Sequence, residues 1–118
     1  MARMARLRFM KLPELLNVAN RFSPSIYDTH GWVLVLAGKA DEGVIVLRKL
    51  VDQAPSAESY YHLAEGYIRQ GKTDLASTQL QSAKQLIDDM DRAKQPVDAR
   101  LKTAIESAIQ KVDGKNPS

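Results

Sequence analysis

A chain of 118 residues is one domain's worth of sequence, long enough to bury a core without disulfides or metals. It has no cysteine, which excludes a disulfide scaffold, a thiolate metal site and a cysteine nucleophile, and its longest purely apolar run, Trp32 to Ala37, is far too short to span a bilayer. The net charge of +3 is uneven: residues 1–22 carry Arg3, Arg6, Arg8, Lys11 and Arg21 against Glu14, and the remainder is nearly balanced, so the chain has a basic N-terminal arm on a neutral body.

In chain order, residues 4–20 place Met4, Leu7, Leu12, Leu15, Leu16 and Ala19 near one helical face, with Pro13 a kink or a helix start. Residues 24–37 form the next helix. Ser23 before Pro24 suits its N-cap, and Gly38 can end it in the left-handed conformation. A helix over 41–54 opens on acids that suit a helix N-terminus and stops at Pro55. Residues 57–70 repeat the first pattern, with Ser56 as N-cap and Gly71 as terminator, and 74–92 repeat the second. Pro96 opens an amphipathic helix over 96–112, with Val97, Leu101, Ala104, Ile105, Ala108 and Val112 on one stripe. The tail 113–118 is expected to fray. Every periodic segment is helical, so the expectation is an all-α fold, about two-thirds helix or more, without strands.

The repetition has a fixed offset. Tyr27 matches Tyr60, Gly38 matches Gly71, Lys39 matches Lys72, Asp41 matches Asp74 and Leu47 matches Leu80, each 33 residues apart. A period in the thirties marks a helical-repeat solenoid. In the second unit Tyr60, Leu63, Ala64, Tyr67, Gly71, Ala76, Leu80 and Ala83 carry a pattern that resembles the tetratricopeptide repeat. The first unit offers Tyr27, His30, Gly31, Leu34, Gly38, Gly43, Leu47, Leu50 and Pro55, departing at His30 and Gly43, where the family has leucine and alanine. The stretch from Asp28 to Gly43 also looks like the closing repeats of longer bacterial proteins of this family, some of them linked to polysaccharide export. The resemblance implies a solenoid of antiparallel helix pairs in a single domain over 1–118: a basic N-terminal helix or partial repeat at 1–22, repeats at 24–56 and 57–92, and a capping helix at 96–112.

Within that register Gly31 and Gly43 face one another and let two helices approach closely, offsetting the cost of about 1 kcal/mol each that glycine carries in a helix. They are dispersed through helices rather than bunched at a strand-to-helix turn, so a phosphate loop is not expected. His30 is expected to face the core. His62 shares a helix face with Glu58 and Glu65; that set could hold a metal, but it is thin for zinc, and a solvated charged face is the preferred reading. Asp88, Asp89 and Asp91 lack the spacing of a calcium loop, and Arg92, four residues after Asp88, suggests surface pairing. No serine, histidine and acid trio has a motif around it. No catalytic, cofactor or metal site is expected, and the chain reads as a non-enzyme.

The resemblance further implies a concave inner surface. Asp28, Trp32, Val35 and Leu36 of the first unit and Tyr61, Glu65, Ile68 and Arg69 of the second fall at its lining positions. Aromatics with mixed charge suit a groove for a peptide or helix, and the implied function is a protein-interaction adaptor or scaffold. The family's clamp for C-terminal carboxylates is not carried over, because Asp28, Trp32 and Tyr61 stand at its positions. Two units plus one unpaired helix leave apolar surface at Met4, Leu7, Phe9, Met10 and Trp32, which points to self-association as a homodimer. Binding of nucleic acid or an anionic surface through the arm is the less favoured alternative. With no signal peptide visible, a cytoplasmic location is expected, or a periplasmic one if the chain belongs to a longer exported protein.

Overall fold

The computed structural model describes residues 23–115. Five helices follow one another: α1 (Pro24–Leu36), α2 (Ala40–Gln53), α3 (Ala57–Arg69), α4 (Thr73–Arg92) and α5 (Ala99–Lys115). They take in 83% of those residues, with no strand among them, which meets the expectation of an all-α chain. The expected helix at 4–20, the basic arm, and Met4, Leu7, Phe9 and Met10 lie outside the described residues.

Three of the helices end in the same way. Gly38 (φ +84°) and Gly71 (φ +76°) take the left-handed conformation after α1 and α3. Around each, paired hydrogen bonds close the helix: Lys39 N–H to the Leu34 carbonyl (2.8 Å) and Gly38 N–H to Val35 (3.2 Å), then Lys72 N–H to Tyr67 (2.9 Å) and Gly71 N–H to Ile68 (3.0 Å). After α4 the same pair is built without glycine: Lys94 holds φ +57°, with Gln95 N–H on Met90 (2.9 Å) and Lys94 N–H on Asp91 (3.1 Å). This third terminator is invisible to a search for glycine.

The helix starts differ. Ser56 caps α3 through a box in which its Oγ accepts from Ser59 N–H (3.0 Å) and Ser59 Oγ accepts from Ser56 N–H (3.1 Å). Ser23 precedes α1, but its side chain makes no cap bond; Pro24 at the first turn does the work of initiation. α5 begins three residues after Pro96, at Ala99, because Asp98 Oδ1 accepts from Arg100 N–H (2.9 Å) and so supplies the cap. It also continues through 113–115, which were expected to fray.

Packing is sequential, and α1 also meets α3 and α3 meets α5. A Cβ built on Gly31 would lie 2.6 Å from Leu47 Cγ, and one on Gly43 would lie 2.7 Å from Val35 Cγ2 and 2.8 Å from the Gly31 carbonyl oxygen. Residue numbers therefore run in opposite senses across α1 and α2, which are antiparallel and in close contact, as the two glycines were expected to allow. Across α1 and α3 the contacts Asp28–His62 and Val35–Arg69 share one offset, so these helices run parallel. The core holds Val35, Val44, Leu47, Leu50, Leu63, Ala64, Tyr67, Ala76 and Leu80, continued by Ala83, Ile87, Ile105, Ala108 and Val112. On an isolated helix pair those faces would stay wet; stacking the next pair buries them.

Candidate functional site

The parallel pair α1 and α3 carries all eight residues expected to line the inner surface, and the structure divides them. Trp32, Tyr61, Glu65 and Ile68 are half-buried, and Leu36 and Arg69 are exposed. Val35 is completely buried and belongs to the core, packed beside Gly43 and Gly66. Asp28 is also buried and presents no free carboxylate to a groove. The causes differ: Val35 is enclosed between α2 and α3, beside Gly43 and Gly66, and Asp28 is covered where it meets His62 of α3.

The partner of Asp28 is His62. Its Nδ1 lies 2.9 Å from both Asp28 oxygens, and both side chains are about nine-tenths buried. His62, expected on a solvated charged face, is buried, and His30, expected towards the core, is exposed. His30 lies at the edge of a hollow that it shares with Val46, Lys49 and Gln53 of α2. His62 sits one position away from its equivalent in the repeat, on the side of α3 turned towards α1. An acid on the earlier helix and a histidine 34 residues later meet only because the two helices are parallel neighbours. The sequence signal was present in that spacing, close to the repeat length.

Three rings then share one surface. The indole of Trp32 stacks on the imidazole of His62, centroids 4.2 Å apart and planes 17° from parallel. Tyr61 leans against both, at 6.1 Å from Trp32 and 5.6 Å from His62. Burial raises the Tyr61 phenol above its ordinary value, and the neighbouring Glu65 carboxylate raises it further. One turn on, the Arg69 guanidinium donates to the Val35 carbonyl at 3.2 Å, tying the ends of α1 and α3 together. The result is a stripe with an aromatic patch at one end, Ile68 and Leu36 beyond it, and one carboxylate and one guanidinium alongside.

A separate hollow of about 350 Å³ opens beside the Asp28–His62 pair and is lined by Ser25, Asp28, Thr29, Ser56 and Glu58 among others. One ligand atom each of Asp28, Glu58 and His62 falls within 4.8 Å of the others. Glu58 is here as expected, and Asp28 stands where Glu65 was expected.

The acidic residues near the end of α4 pair on the surface, with different partners from those expected. Arg92 donates to Asp89 rather than Asp88, and Gln85 donates to the same oxygen, so the Asp89 carboxyl is held below its ordinary range by Gln85 and then Arg92. Lys102 of α5 reaches back to Asp91 at 3.1 Å. No helix among the described residues is long and apolar enough to cross a membrane. No protein-family model, curated protein or solved structure matches the chain.

Proposed function

We propose that this chain is a tetratricopeptide-type helical-repeat module, non-enzymatic, that binds a peptide or short helix along the inner stripe of α1 and α3 in the cytoplasm. The observation that carries the reading is the half-open aromatic patch of Trp32 and Tyr61 on two parallel helices. Rigid rings that are held by packing yet remain accessible lose little entropy on binding, which is why such residues dominate binding hot spots. Leu36 and Ile68 extend the apolar track, and Glu65 and Arg69 supply charges that can fix the direction of a bound segment.

Trp32 is the only tryptophan, so its fluorescence reports on this surface alone. Peptides selected on an array should shift that emission on titration, and Tyr61→Ala or Ile68→Ser should weaken the same titration at least tenfold, about 1.4 kcal/mol. Selected peptides that bind with unchanged emission and tolerate both substitutions would place the interface elsewhere.

A second reading is favoured by a separate observation: Ile26, Val33 and Ile45 are all more than half exposed, as apolar patches at interfaces are. In that reading the partner is another copy of the chain. Sedimentation of wild type and of Ile26→Asp with Val33→Lys separates the two, because those changes break a dimer without touching the inner stripe.

A further inference from the structure

We propose that Asp28, Glu58 and His62 bind a divalent transition-metal ion of the zinc class, at the seam between α1 and α3. Glu58 and His62 lie one turn apart on α3, which puts them on the same face. Asp28 arrives from α1, and one ligand atom of each lies within 4.8 Å of the others. Bond lengths near 2.0–2.2 Å place neighbouring ligands about 3–3.5 Å apart, so a modest swing closes the set. The swing falls to Glu58, which is exposed and makes no hydrogen bond or ion pair among the described residues.

The other two ligands are already in place. Asp28 and His62 are buried, and Trp32 stacked at 4.2 Å fixes the plane of the imidazole. Ligands held this way by neighbours bind metal with less loss of freedom. The Asp28 oxygens lie 2.9 Å from Nδ1, so an ion held by Asp28 and this nitrogen would take the place of their hydrogen bond. Coordination through Nδ1 leaves the single proton of the neutral imidazole on Nε2. Two carboxylates and one imidazole balance a 2+ charge, and a set of nitrogen and oxygen donors without thiolate suits zinc, manganese, cobalt or nickel. The hollow lined by Ser25, Thr29 and Ser56 gives water access to the remaining coordination positions.

A hydrogen-bonded Asp28–His62 pair without metal gives Glu58 no role, so Glu58 discriminates. The chelator-treated chain is titrated with zinc chloride by calorimetry and then melted with and without zinc. Wild type should bind one ion, and its Tm should rise by about 10 °C at a hundredfold excess over Kd. Glu58→Gln, which removes the acid from the first turn of α3, should lower the metal-free Tm by only about 1–4 °C and lose at least about tenfold in affinity, the loss that an outer partner of a metal ligand alone incurs. His30→Ala, which changes the only other histidine, should bind as wild type does. No heat and no Tm shift at millimolar zinc overturns the proposal. So does a Glu58→Gln variant that binds as tightly as wild type, or loss of binding in His30→Ala.

Discussion

Ile26, His30 and Val33 on α1 and Ser59, Leu63 and Gly66 on α3 stand at matching places, each pair 33 residues apart. The first three are exposed and the second three are buried. The difference lies in the neighbour. α3 lays that face on α2, where a Cβ on Gly66 would come within 2.7 Å of Val44 Cγ2. The same face of α1 stays open, with His30 at the edge of a hollow bounded by α2. A register position therefore has no burial of its own; it acquires one from the next helix in the stack. The interior of each pair differs in the other direction. Gly31 and Gly43 stand where the second pair has Ala64 and Ala76, both fully buried with room for their methyl groups. In the first pair a methyl at either position would come within 3 Å of Leu47 or of Val35 and the Gly31 carbonyl.

The contact that joins the two units gives the first test. Asp28→Ala leaves a buried imidazole without its hydrogen-bond partner and should cost about 1–3 kcal/mol in chemical denaturation. A loss below 1 kcal/mol would mean that the pair is solvated and the seam open.

A reciprocal exchange tests the comparison directly. Leu63→His should cost about 2–5 kcal/mol, through a lost core side chain and a buried polar one. His30→Leu, the mirror change, should stay within about 0.5 kcal/mol. Equal effects would show that something covers α1 as α2 covers α3.

The glycine pair gives the next step. Gly43→Ala gains helix propensity but drives its methyl into the Gly31 carbonyl, which cannot rotate away, and a net loss of about 1–3 kcal/mol is expected. At Gly31 the obstacle is the Leu47 side chain, so Gly31→Ala should cost less and should be relieved in the double variant with Leu47→Ala. Gly31→Leu, with far more volume, should fall at or above the upper end of that range.

The terminators differ too. Lys94 holds a left-handed conformation that glycine adopts freely, so Lys94→Gly should raise stability by about 0.5–1 kcal/mol, where Gly71→Ala should lower it. The smallest effect is confined to alkaline pH. The folded state raises the Tyr61 phenol, so its contribution is complete below the ordinary value of 10.0 and is lost as pH rises through the raised one. Tyr61→Phe should flatten that decline relative to wild type, as thermal melts from pH 9 to 11.5 would record.

The sequence by itself determined the helices, their order and most of their ends. Apolar spacing, prolines and the glycines at 38 and 71 act within one or two turns, and local steric rules decide them. A close approach at Gly31 and Gly43 was expected from the sequence, and the structure adds that Leu47 and Val35 fill the space that the two glycines leave. Tertiary structure decided which histidine is buried, why Val35 is core rather than groove, and that Asp28 meets His62 with Glu58 nearby. Those outcomes depend on which helix lies next to which, and on α1 and α3 running parallel. The periodicity of a single helix carries its amphipathic face, but the identity of the surface that covers that face is set by residues a whole repeat away.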